Sequence, residues 1–116
     1  MKITVKITKE TIRESINCGG SPSNCAVARA VREIFPYALV TMYAIHFMGN
    51  SAIDDIKLPS KASDFIYEFD TTPSEDREDI KPLSFEIEVP EALIQKIGIG
   101  EVYRILSESK TLELVM

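Results

Sequence analysis

"KITVKITKETIRESI" (Lys2–Ile16) changes its period halfway along, and that change sets the class of fold. From Lys2 to Thr8 the residues alternate. Ile3, Val5 and Ile7 share one side, and Lys2, Thr4, Lys6 and Thr8 share the other. Side chains on a strand point to opposite faces in turn, so this is a half-buried strand. From Lys9 the apolar positions Ile12 and Ile16 fall four apart, a helical interval. Thr11 and Glu14 have the spacing of a capping box, which predicts a short helix over 9–16.

Outward from this stretch the same mixture repeats. The loop Asn17–Asn24 is rich in Gly, Ser and Asn, and a helix is predicted over 22–35. Its start falls near Ser21 or Ser23, with Ser21 a candidate cap ahead of Pro22 as first residue, and Pro36 stops it. Tyr37–Met48 is apolar on both alternate sets, which predicts a central strand covered on both sides, broken near Thr41 because twelve residues is long for one strand. "AIDDIKLP" reads as a weaker strand ended by Pro59. Ala62, Phe65, Ile66 and Phe69 stand at i, i+3, i+4 and i+7 and predict a helix over 60–70 capped by Ser60.

"TTPSEDREDIKP" (71–82) is a polar, acidic connector, expected to be a mobile loop within the domain. "LSFEIEV" alternates again, with Leu83, Phe85, Ile87 and Val89 inward and its glutamates outward. Pro90 and Glu91 open a further helix that closes at Gly98. For residues 100–115 two readings stand: a helix then a strand, or a hairpin around "SESKT". Together these segments predict one α+β domain over 1–116, with about five short strands and the helices at 22–35 and 60–70 packed on the sheet.

Composition narrows the function classes. The 116 residues suffice for one core without metals or disulfides, and 45% hydrophobic content argues against disorder. Net charge is −5. Residues 1–35 are basic, with six Lys/Arg against three acids, and the remainder is strongly acidic. Nucleic-acid binding rests on Lys/Arg neutralising phosphates, so an acidic chain is a poor candidate for it. No run approaches the ~20 apolar residues of a membrane span, and the charged, alternating start is not a signal peptide, which predicts a cytoplasmic protein with no membrane partner. In that compartment free thiols are favoured over a disulfide for Cys18 and Cys25, but a bridge over the six residues between them is possible, and the sequence leaves the choice open.

The chemistry concentrates in "NCGGSPSNCAVARAVREIF" (Asn17–Phe35). A helical wheel gathers Val27, Ala30, Val31, Ile34 and Phe35 on one side, and puts Cys25 on the side of Arg29 and Arg32. A thiol in a helix's first turn, near an arginine, is favoured as thiolate. The sole histidine, His46, is then the available general base, which makes a cysteine-dependent enzyme using Cys25 with His46 the alternative reading. The plainer reading is a small residue under a loop and a strand histidine bonded to backbone. Gly19, Gly20 and Ser21, with Arg29 and Arg32, are candidates for holding an anion or a partner. The phosphate-loop patterns are absent, however, and a glycine turn explains the same residues. Two cysteines and a distant histidine fall short of a zinc site, and no cofactor is expected. Asp54, Asp55, Glu75, Asp76, Glu78 and Asp79 lack calcium-loop spacing and read as a solvated surface.

"NCAVARAVRE", "IKLP" with "FIYEFD", and "PLSFEIEVP" together resemble a group of small bacterial and phage-borne proteins of unknown function. Members carry a Cys-start, Ala-rich helix, an LP…FI..FD helix and an F.FE strand. The likeness spans roughly residues 3–90. A Pro directly after the Cys is part of that pattern, and Ala26 stands there instead. The resemblance implies a mobile-element setting and carries over no catalytic residue. The expectation is a small, non-enzymatic protein-interaction or regulatory protein that binds a protein partner, with the Arg13/Arg29/Arg32 region and the acidic 74–79 segment as its surfaces.

Overall fold

Strand β1 (Lys2–Ile7) pairs antiparallel with β5 (Leu83–Glu88), although residues 8–82 separate them. The register opposes Ile3 to Ile87, Val5 to Phe85 and Ile7 to Leu83, so the apolar sets of both strands share one face. Five of those six side chains are buried, and Leu83 is half-buried. Each such burial contributes about 1.5–3 kcal/mol. The opposite face sets Lys2 across from Glu88 and Thr4 across from Glu86. A one-residue slip would invert both faces at once, which is why the register is firm.

The computed structural model describes residues 2–18 and 24–97. Within them the chain is an α+β globule with two small antiparallel sheets. The second sheet has the order β2 (Ala38–Val40), β3 (Ala44–Phe47), β4 (Ile56–Lys57). The break expected near Thr41 is a hairpin turn. Thr41 N–H donates to the Ala44 carbonyl at 2.9 Å, and Ala44 N–H donates to Thr41 Oγ1 at 3.1 Å. A hydroxyl that bonds backbone beside it stabilises such a turn. After β3 the chain reverses at Gly49, whose φ of 84° is open to glycine at little cost. "AIDDIKLP" divides into a 3-10 helix (Ala52–Asp54) and β4.

Among the described residues four α-helices pack around these sheets: α1 (Lys9–Glu14), α2 (Ala26–Ile34), α3 (Ser60–Thr71) and α4 (Glu91–Ile97). The capping box expected at Thr11 and Glu14 is not the cap of α1. Thr8 is the N-cap, its Oγ1 accepting from Thr11 N–H. Helix α2 lies against β1 and β2, and its buried Ala26, Ala28 and Ala30 let the backbones approach closely. Its expected start at Ser21 or Ser23 is corrected: the N-cap is Cys25, and residues 19–23 lie outside those described. Helix α3 runs as expected, but Pro59 rather than Ser60 is its cap. Phe65 and Phe69 stack at 6.1 Å, and Phe35 meets Phe47 edge to face at 5.4 Å.

Two further expectations change. The acidic connector 71–82 holds a 3-10 helix (Ser74–Asp79), and Arg77 within it is buried. The Tyr37–Met48 segment is covered on one face only. Ala38, Val40, Ile45 and Phe47 are buried, while Tyr37 and Met48 are exposed and Leu39 and His46 half-buried. The helix-or-hairpin question at 100–115 lies outside the described residues. Among the described residues no helix is long and apolar enough to cross a membrane.

Candidate functional site

Helix α1 ends at Ser15, which is fully buried and donates its hydroxyl to the Thr11 carbonyl at 2.7 Å. The chain then turns, with Cys18 N–H on the Ser15 carbonyl at 2.9 Å. This places the carbonyls of Ile16 and Cys18 toward the 3-10 helix Ser74–Asp79. Arg77 Nη1 donates to both, at 2.6 and 3.2 Å. Its Nε donates to the carbonyls of Phe69 and Thr72 at 2.9 and 3.0 Å, where α3 ends and its last carbonyls lack helical partners. The guanidinium carbon sits 4.9 Å from the Phe69 ring centroid. A buried cation is costly unless its donors are satisfied, and four carbonyls and a π-face satisfy this one.

Cys18 and Cys25 are joined by a disulfide, with Cα atoms 5.3 Å apart. The sequence favours free thiols but leaves a bridge open, and the structure has the bridge. The spacing of seven in sequence permitted either state, and the fold of the α1–α2 connection brings the two together. Both cysteines are half-buried. Cys25 also forms part of the wall of a cavity of about 100 Å³ between the start of α2, the β2–β3 turn and α3. That volume is well below the ~300–1,000 Å³ of sites for small organic ligands.

His46 stands away from this region. Alternation puts Ile45 and Phe47 on the core side of β3, toward α2, and His46 on the other face. Its Nδ1 lies 2.7 Å from Asp55 Oδ1, with both side chains about one-third exposed. An Asp that orients a His is half of a nucleophilic constellation. The nucleophile half is not free, because Cys25 Sγ is committed to Cys18, while His46 bonds Asp55 from the half-buried face of β3. The structure therefore does not assemble the Cys25–His46 pair.

The basic and acidic surfaces meet one another. Arg13 Nε pairs with Glu78 Oε1 at 3.1 Å, and Lys9 Nζ donates to the Glu78 carbonyl. Arg29 approaches Glu14 at 3.7 Å and donates through Nε to the Asn24 carbonyl at 2.6 Å. Arg32 is half-buried on α2. Gly19, Gly20 and Ser21 lie outside the described residues. Among the described residues no group of three or more His, Cys, Asp or Glu is placed to hold a metal.

Sequence reasoning missed Arg77, and it read Asp55 as solvated surface rather than as the partner of His46. Arg77 is the one basic residue inside "SEDREDI", shortly after a helix end, and that position was the available signal. Asp55 becomes visible only when β3 and β4 are paired, because Ile45 opposes Ile56 and the next positions are His46 and Asp55.

Compared with known proteins, the chain matches no family model, no curated protein and no solved structure.

Proposed function

We propose that this chain is a small, non-enzymatic protein-interaction or regulatory protein that acts by binding a protein partner. The observation that carries the proposal is the outer face of the β2–β3–β4 sheet. Tyr37 is 67% exposed and Met48 42% exposed, and they flank the half-buried Leu39 and His46. Lys96 and Ile97 at the end of α4 border Tyr37 and Met48 at one side, and Tyr43 and Ile53 stand exposed at the sheet's margins. Tyr and Met are enriched where proteins meet, and grouped exposed apolar side chains mark such surfaces. The charged surfaces first expected to dock a partner support the proposal less, since Arg13 and Arg29 already have partners within the chain.

A cytoplasmic location and a mobile-element setting belong to the same proposal. The mobile-element setting rests on the resemblance to bacterial and phage-borne proteins, and the location on there being no helix, among the described residues, long and apolar enough to cross a membrane. The rival, a thiol enzyme built on Cys25 and His46, has no supporting geometry.

Affinity purification from the native host, with wild type beside a Tyr37→Ser/Met48→Ser variant, tests the reading. A partner retained by wild type and lost by the variant is the expected result, with the thermal midpoint unchanged. Equal retention by both would overturn the assignment of this face.

A further inference from the structure

We propose that Cys18 and Cys25 form a thiol–disulfide exchange site, opened by a dithiol and closed again without unfolding of the chain. Three features of the pair lead to this. The first is access. Neither cysteine is fully buried, and Cys25 borders the small cavity shared with Thr41, Met42 and Asp70, whereas Cys18 packs against the hydrophobic core. An attacking thiolate therefore reaches Cys25 first.

The second feature is that both ends of the bridge are held by other bonds. Cys18 is fixed by its N–H on the Ser15 carbonyl and by Arg77 on its own carbonyl. Cys25 is fixed as the N-cap of α2, its carbonyl accepting from Arg29 N–H at 2.8 Å. Opening the Sγ–Sγ bond leaves those contacts in place. The two thiols stay close, and a close pair re-forms its bond readily.

The third feature is where Cys25 sits once reduced. It caps a nine-residue helix and makes no side-chain cap bond of its own. A thiolate there stands at the first turn of the helix, whose leading N–H groups have no partner within the helix, and at the positive end of its dipole. That stabilises the reduced state and makes the disulfide easier to reduce.

A thiolate of the dithiol attacks Cys25 Sγ, the bond to Cys18 breaks, and Cys18 leaves as thiolate and takes a proton. The reagent's second thiolate then attacks its own sulfur in the mixed disulfide and releases Cys25 as thiolate. Two electrons pass to the protein pair, and the dithiol ends as a disulfide.

Oxidised wild-type chain is treated with dithiothreitol, and separately with reduced thioredoxin, in buffer without denaturant. Thiols are then counted by maleimide mass-tagging. The expected result is two tags per chain with an unchanged circular dichroism spectrum, and loss of both tags on re-oxidation. Tags that appear only after denaturant is added would overturn the proposal. In a second arm, glutathione is added and the mixed disulfide trapped. Both cysteines lie on one tryptic peptide, Glu14–Arg29, so fragment ions assign the adduct. Adduct on Cys25 at least about tenfold over Cys18 is expected, and equal or reversed labelling would contradict the assigned order of attack.

Discussion

Arg77 Nη1 donates to the main-chain carbonyl of Cys18 at 3.2 Å, across 59 positions of sequence. The same guanidinium holds the end of α3 through Phe69 and Thr72. One side chain thus ties the turn after α1, the end of α3 and the acidic 3-10 helix together, beside the disulfide. Its energetic role follows from what its loss would strand: four carbonyls, partly or wholly shielded from water, without a donor.

Arg77→Ala is expected to destabilise the chain by about 3 kcal/mol or more, since each stranded buried acceptor costs about 1–3 kcal/mol. Arg77→Lys should recover little of that, because an ammonium cannot span carbonyls that the planar guanidinium fork reaches together. Urea unfolding of both variants checks this. A loss below about 1 kcal/mol in Arg77→Ala would show that the cluster is not a stabilising one.

Phe69→Ala should cost about 3–5 kcal/mol and Phe65→Ala a similar or smaller amount, as both rings are buried and stacked. Phe69 is expected to be the costlier loss, because its ring also lies beneath Arg77. Thermal midpoints of the two variants give the order, and an unchanged midpoint in either would contradict the placing of α3.

Cys18→Ser/Cys25→Ser should fold, at about 2–3 kcal/mol below the oxidised wild type, because the bridge closes a short loop. Its stability should match that of reduced wild type within about 0.5 kcal/mol. Failure of the double variant to fold would mean that the bonds around Cys18 and Cys25 do not hold the region by themselves.

Thr8→Ala should cost about 1 kcal/mol through loss of the α1 cap. Arg13→Ala, which breaks an exposed ion pair with Glu78, should change stability by less than about 1 kcal/mol. Equal losses in the two variants would indicate that the ion pair is part of the folded framework rather than a surface contact.

Periodicity carried much of this fold. Ile3, Val5, Ile7, Phe85, Ile87 and Val89 are buried as their alternation predicts, and so are Ala62, Phe65 and Phe69 on α3. Alternation is a local property, so it names the inward face but not the neighbour. The pairing of β1 with β5 depends on long-range packing. The division of strands into two sheets escaped the reading for the same reason.

The candidate site was less legible. His46 sits on the face its position implies, but the face opposite α2, so its sequence uniqueness made it a base only by default. Arg77 among acids reads as one more solvated charge until the open carbonyls at the end of α3 are known. The cysteine spacing fits a bridge as well as two free thiols, and only the turn after α1 decides between them.

The most direct test of the account is hydrogen–deuterium exchange on the free chain and on the chain bound to a partner purified from its host. Binding at the open sheet face predicts slowed exchange at Ala38–Val40 and Ala44–Phe47, with little change at Lys9–Glu14 and Ser74–Asp79. Protection confined to those last two segments, with the sheet unchanged, would contradict it.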